Sequence, residues 1–193
     1  MESSSAVHRR PLLELLEGYL RQHPEELGRV DTVRRFVAAH RDCFERSCAP
    51  GHVTGSAWIL SPDRRQVLLL RHRKLGRWLQ PGGHADGDPD VLAVALREAQ
   101  EETGLERLAL LPGPLGGLPL DVDVHPIPER PGEPAHLHHD VRFLLLAEPG
   151  QTPCRSEESD ELAWIERARL AEVSVEESLL RLERHARLRL GEA

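Results

Sequence analysis

The chain has 193 residues, 39% of them hydrophobic, which excludes general disorder and allows one core with a small addition. Thirty-two acidic residues against 25 Lys and Arg give a net charge of −7, arguing against a basic surface for a nucleic-acid polymer or an anionic membrane. Cys43, Cys48 and Cys154 have no metal-finger spacing, no secretory signal opens the chain and no run nears about 18 apolar residues, so a soluble cytoplasmic protein is expected.

Residues 1–50 read as helical. Pro11 is placed to open a helix through Leu12, Leu13, Leu15, Leu16 and Leu20, one broad apolar face. Asp31 reads as the N-cap of a second helix in which Val33, Phe36, Val37 and Phe44 recur at helical spacing. Pro50–Gly51 ends that pattern. From residue 52 the period is that of strands, with VTGSAWIL and QVLLL flanking SPDRR as a hairpin. A basic cluster, Arg71, His72, Arg73, Lys74 and Arg77, leads into the turn QPGGHADGD. Asp88–Pro89 reads as the start of a helix reaching about Thr103, with Gly104 as its stop. Within a proline-rich tract over 112–134, Leu118, Leu120, Val122 and Val124 alternate with other residues as in a half-buried strand. HLHHDVRFLLLA is a further strand, followed by the acidic loop SEESDE and the short strand LAWI. Ser174 and Glu177 have capping-box spacing ahead of a closing amphipathic helix. This order of elements gives an α+β fold with a mixed sheet.

The interior helix carries the chemistry. Glu98 lies three residues before Glu101 and four before Glu102, so the three carboxylates project from one face. Arg97, four residues before Glu101, is placed to pair with it. Adjacent carboxylates repel, and a hard divalent cation relieves that repulsion because Mg²⁺ and Mn²⁺ prefer oxygen ligands. A solvated acidic helix face is the plain alternative. The Gly82–Gly83 turn lets main-chain groups approach the same ion or a phosphate.

If the strands carrying Asp121, Asp123, His125 and His136, His138, Asp140 lie together, these six side chains share a face. A polar wall of a substrate pocket, an additional metal site and a wet sheet face all fit that pattern. His84, beside the glycine turn, is expected to face the pocket. The basic cluster, Arg71 and Arg73 included, is either a phosphate or leaving-group contact or a solvated loop. Trp58 and Trp164 fall in strand patterns and read as core, while Trp78 either stacks on a base or packs under the turn.

The stretch from Gly83 to Leu105 resembles the Nudix box: Gly, five residues, Glu, seven residues, then Arg-Glu-hydrophobic-x-Glu-Glu-x-Gly-hydrophobic. Gly83, Arg97, Glu98, Glu101, Glu102 and Gly104 match its fixed positions, and Ala99 and Leu105 fill its apolar slots. The first glutamate of the box falls at Pro89, between Asp88 and Asp90. In the family that glutamate mainly supports the loop–helix architecture, so the departure bears on loop geometry more than on metal binding. By element order the resemblance covers residues 52–190. It implies the Nudix fold, a mixed β-sheet sandwiched between helices, with residues 1–50 as an N-terminal helical extension and 51–193 as the Nudix hydrolase domain.

The resemblance further implies hydrolysis of a diphosphate linkage in a nucleotide-type or other phosphorylated small metabolite, with Mg²⁺ or Mn²⁺. Glu98, Glu101 and Glu102 are then metal ligands, joined by the carbonyl of Gly82, and Arg97 orients the glutamates. Glu101 is the carboxylate placed to accept the water's proton. In several members a loop glutamate outside the box acts as the base, and Glu158 in SEESDE is the candidate here. Arg71, Arg73, His84 and His138 are the candidate substrate contacts. A catalytically inactive ligand-binding sensor is the alternative reading, motivated by Pro89 and the helical N-terminal segment. The expected partner is a small-molecule diphosphate, with a homodimer through the N-terminal helices as a further expectation.

Overall fold

The computed structural model describes residues 4–157 and 159–192. It opens with α1 (Ser4–Gln22) and α2 (Leu27–Ala39), joined by a 3-10 turn at Pro24–Glu26. Pro11 lies inside α1 and does not open it, contrary to expectation. The N–H that proline lacks costs one main-chain bond, which the full burial of Leu12, Leu16 and Tyr19 offsets. α2 likewise begins upstream of Asp31, because Val30 extends the buried face of Val33, Phe36 and Val37. Asp31 is therefore not an N-cap; its carboxylate accepts from Arg35 one turn on, at 2.6 Å. The helical pattern ends at Ala39, and residues 40–50, Phe44 included, form turns and irregular loop.

The strands are β1 (Gly51–Leu60), β2 (Gln66–His72), β3 (Trp78–Leu79), β4 (Gly82–His84), β5 (Leu108–Leu110), β6 (Asp121–Ile127), β7 (His136–Ala147) and β8 (Ser159–Glu166). The helices α3 (Val91–Thr103), α4 (Leu170–Val173) and α5 (Glu177–Leu190) complete the fold. The acidic segment expected to be a loop is in part strand, since β8 starts at Ser159. Among the described residues, no helix is long and apolar enough to cross a membrane.

One mixed sheet holds all these strands. β1 and β7 pair in parallel along their length, from Gly51 opposite Leu137 to Leu60 opposite Leu146. On its other edge β1 meets β4 at residues 54–56 and β2 at residues 59–60. β6 and β5 follow one another along the far edge of β7, and β8 and β3 pair with β2. Every residue of β1 is buried, as a central strand covered on both faces requires.

Strand alternation sorts the apolar side chains into two layers. Trp58, Leu60, Leu69 and Leu144 pack with Leu179, Leu182 and Ala186 of α5. On the opposite face Ala57, Ile59 and Leu145 pack with Ala99 of α3. Further along that face Val53, Val141 and Phe143 join Val91, Val94 and the side chains of α1 and α2 in a single cluster. Residues 1–50 thus share a core with the sheet. α3 rests directly on β1 at Gly55, where a Cβ would stand 2.7 Å from the Val91 carbonyl oxygen and 3.0 Å from the Ala95 nitrogen.

Two further helix starts differ from the sequence reading. Asp88 accepts from the Asp90 N–H at 2.9 Å, closing a turn over Pro89, and Asp90 caps α3 by accepting from the Ala93 N–H at 3.0 Å. The helix so begins at Val91, and Gly104 ends it with φ 67°, as expected. Ser174 accepts from the Glu176 N–H at 3.2 Å, one residue short of the expected capping box, and α5 starts at Glu177 without a side-chain cap.

Candidate active site

β4 is three residues long and separates two polar clusters. A Cβ on Gly83 would collide with the Glu98 carboxylate, so this residue faces α3. Gly82 faces the other way, against Ser56, and the pleat puts His84 on that second side.

On the α3 side, Glu98 has a side chain 14% exposed and accepts from Arg97 at 2.7 Å. The other terminal nitrogen of Arg97 donates to the His84 carbonyl at 3.0 Å, tying α3 to β4. Glu101, the expected partner of Arg97, stands 4.0 Å from it with a side chain 61% exposed. Arg97 prefers Glu98 because the shielded carboxylate lies against the turn that the guanidinium already bridges. Glu102 accepts from the Gly82 N–H at 2.9 Å. Burial pushes the Glu98 carboxyl above its ordinary range, with the charge of Glu101 adding to the shift and Arg97 opposing it.

The groups gathered here are carboxylates and the main chain of a glycine turn, the oxygen-rich donor set of a hard divalent cation. The missing Cβ of Gly83 is what makes room for Glu98 in that cradle. Among the described residues, the trios whose ligand atoms all lie within 4.8 Å of each other are His52, His84, His138 and His40, Asp42, Cys48.

The second side of β4 holds imidazoles. The parallel register sets His52 beside His138, with their Nε2 atoms 3.1 Å apart. The His84 ring lies 4.8 Å from that of His52 and 5.0 Å from that of His138, and His125 and His136 adjoin His138. Burial, reinforced by the neighbouring rings, lowers His52 to about 4 and His138 to about 2; burial and Arg46 lower His84.

The shared face of β6 and β7 forms as the alternation suggested, with Asp123 opposite Asp140 and His125 opposite His138. Its aspartates are taken up by ion pairs and hydrogen bonds. Arg142 reaches Asp121, Asp123 and Asp140 at 3.1, 2.8 and 2.8 Å. Arg181 of α5 holds Asp121 and Asp123 at 2.8 and 2.9 Å, and the Thr54 and Ser56 hydroxyls donate to Asp140 at 2.9 and 2.8 Å. Burial alone would raise Asp121 and Asp140, yet the hydrogen bonds and guanidinium charges hold both below the usual carboxylate range. This ionic knot fastens α5 to the sheet.

Arg71 is exposed on β2, Arg73 pairs with Asp160 at 3.1 Å and Arg77 with Glu176 at 3.0 Å. Trp58 is fully buried, Trp164 packs against the α3-side core, and Trp78 packs against the α5-side core. Glu158, the candidate loop base, lies outside the described residues. His52, Arg142 and Arg181 were missed from sequence. An arginine inside the apolar run VRFLLLA was a readable signal; His52 joins the imidazoles through a parallel pairing that no local pattern carries.

A family model described as NUDIX domain matches residues 50–184. The bovine (Bos taurus) protein named m7GpppN-mRNA hydrolase NUDT17 is 34% identical over 99 residues, covering 48% of this chain and 32% of that protein. Its Xenopus laevis counterpart is 36% identical over 97 residues, 48% of this chain and 31% of that protein. The chain thus spans about a third of the length of these curated relatives. Its fold is similar to that of a Caenorhabditis elegans Ap4A hydrolase (TM-score 0.56, 19% identity, 72% of this chain and 97% of that one). It is also similar in fold to a NUDIX-family hydrolase from Clostridium perfringens (TM-score 0.56, 23% identity, 71% and 97%). With the family model matched across more than half of its residues, the chain belongs to the NUDIX domain family.

Proposed function

We propose that this chain hydrolyses a diphosphate linkage in a nucleotide-type or other phosphorylated small molecule, with Mg²⁺ or Mn²⁺. The observation that carries this reading is the folding of the matched box residues into one strand–turn–helix, with Glu98 against Gly83 and Glu102 on the Gly82 N–H. A divalent cation held by Glu98, Glu101, Glu102 and the Gly82 carbonyl supplies, when bound, neutralisation of phosphate charge and a more acidic attacking water. Arg97 positions Glu98 and locks α3 to β4. Glu101, the most exposed of the three, takes the water's proton. His84 and His138, with Arg71 and Arg73, contact the part of the substrate that does not react. Pro89 leaves the loop–helix junction intact, since Asp88 and Asp90 supply its hydrogen bonds.

The test is a panel of nucleoside triphosphates, ADP-ribose, dinucleoside polyphosphates, NADH and non-nucleotide diphosphates. An m7GpppN cap dinucleotide joins it on the strength of the NUDT17 relatives' name. Phosphate or pyrophosphate release is followed with Mg²⁺ and with Mn²⁺. Glu102→Gln is expected to lower turnover by roughly 100-fold or more with the fold intact. Wild-type turnover in that variant overturns the ligand assignment. Calorimetric binding without turnover, metal present, replaces the hydrolase reading with the sensor.

A further inference from the structure

We propose that His52, His84 and His138 form a second ion site, binding a transition-metal ion of the Zn²⁺ or Co²⁺ class through three ring nitrogens. The three residues come from β1, β4 and β7, and each offers a nitrogen within 4.8 Å of the other two. Two of these atoms, the Nε2 of His52 and of His138, already stand 3.1 Å apart. A tetrahedral ion with Zn–N bonds of about 2.0–2.1 Å spaces its nitrogens roughly 3.3 Å apart, so small rotations of the rings close the site. Three rigid strands hold the set, which limits the entropy lost on binding.

The surroundings suit a cation. His52 is 2% exposed, while His84 and His138 are half-buried and open the site toward solvent. Buried imidazole nitrogens, the Nδ1 of His52 and the Nε2 of His136, lack a hydrogen-bond partner, which is uncommon for a closed polar cluster. The His136 ring lies 4.8 Å from that of His52, and its Nε2 is 3.7 Å from a Glu133 carboxylate oxygen. The guanidinium of Arg46, whose charge acts on His52 and His84, pairs with Asp86 at 2.5 and 2.8 Å. Three protein ligands leave a fourth position open for an anionic oxygen.

The inference does not rest on the box carboxylates, and it makes His84 and His138, read above as direct substrate contacts, the ligands of an ion instead. Imidazoles select Zn²⁺, Co²⁺, Ni²⁺ or Cu²⁺, whereas the box carboxylates across β4 suit Mg²⁺ and Mn²⁺. Tag-free protein, stripped with a chelator, is titrated with Co²⁺ and read by its visible d–d absorption. One Co²⁺ per chain is expected, displaced by equimolar Zn²⁺ and retained in excess Mg²⁺. His138→Ala and the half-buried His84→Ala should each weaken Co²⁺ binding by roughly 100-fold or more, with thermal unfolding confirming a folded chain. His40→Ala, in the other candidate trio, should bind as wild type. Absence of stoichiometric absorption, displacement by Mg²⁺, wild-type affinity in His84→Ala or loss of binding in His40→Ala overturns the proposal.

Discussion

Two trios of carboxylates lie on opposite faces of the same sheet and differ in how they are answered. Asp121, Asp123 and Asp140 are enclosed by Arg142 and Arg181, with hydroxyls from Thr54 and Ser56 filling the remaining acceptor sites. Glu98, Glu101 and Glu102 meet Arg97 closely at Glu98 and at 4.0 Å at Glu101, whose side chain is largely in water. Saturated charge in the interior serves to hold elements together. Glu101, largely in water beside a glycine turn, is open to a ligand in a way the enclosed aspartates are not. Counting acidic residues on a face cannot separate these cases; counting their donors can.

The comparison can be broken by emptying the first trio of its cation. Arg142→Ala leaves Asp140 buried without its guanidinium partner and Asp121 with Arg181 as its remaining arginine, and should cost about 3–5 kcal/mol in urea unfolding. A loss no larger than that of an exposed arginine would mean that the knot is not what fastens α5. The second trio is disturbed through its floor. Gly83→Ala drives a methyl into the Glu98 carboxylate and should cost about 1–3 kcal/mol while displacing that ligand, so Mn²⁺ affinity falls with stability. Unchanged Mn²⁺ affinity would show that Glu98 has room the structure denies it.

A pH dependence sharpens the contrast between carboxylates and imidazoles. His139 is 1% exposed, stacked 3.9 Å from Phe36, with neither ring nitrogen hydrogen-bonded, and burial lowers it to about 4. The unfolded chain binds its proton near 6.5, so this contribution is complete above that pH and is lost as pH falls toward 4. His139→Phe should therefore remove about 2 kcal/mol of the stability lost between pH 7 and pH 5. Equal acid sensitivity in both proteins would refute the assignment. Asp121 acts below that window, since its depressed pKa matters only as pH falls through the carboxylate range. The smallest effect belongs to the surface: Arg73→Ala, which removes an exposed pair with Asp160, should change stability by less than about 0.5 kcal/mol. A rise in KM in that same variant would support Arg73 as a substrate contact.

β1, β2, β6, β7 and the later part of β8, with the interior helix and its Gly104 stop, were legible because each rests on local periodicity or a single φ requirement, whereas the short β3, β4 and β5, with β4 inside the expected glycine turn, carry too few residues to show a period. Helix starts were less so. Asp31 reads as an opening only if the buried Val30 before it is ignored, and tertiary burial overrode that signal, while α1 runs through Pro11 on the buried face of Leu12, Leu16 and Tyr19. The box was readable because its spacing is sequential, but the differing exposure of Glu98 and Glu101 was not, since it depends on where β4 meets α3. The aspartate face was foreseen as a geometry and not as an ionic knot, because Arg142 and Arg181 reach it from within β7 and from α5.

The parallel pairing of β1 with β7 sets an order of assembly during synthesis. Gly82 and Glu102 are 20 positions apart, so the loop and helix of the box can come together soon after both leave the ribosome. His52 and His138 are separated by 86 positions and have no hairpin to bring them together. The imidazole group is therefore a late product of translation, absent from any nascent chain that halts before β7 and completed only when the strand returns to the centre of the sheet.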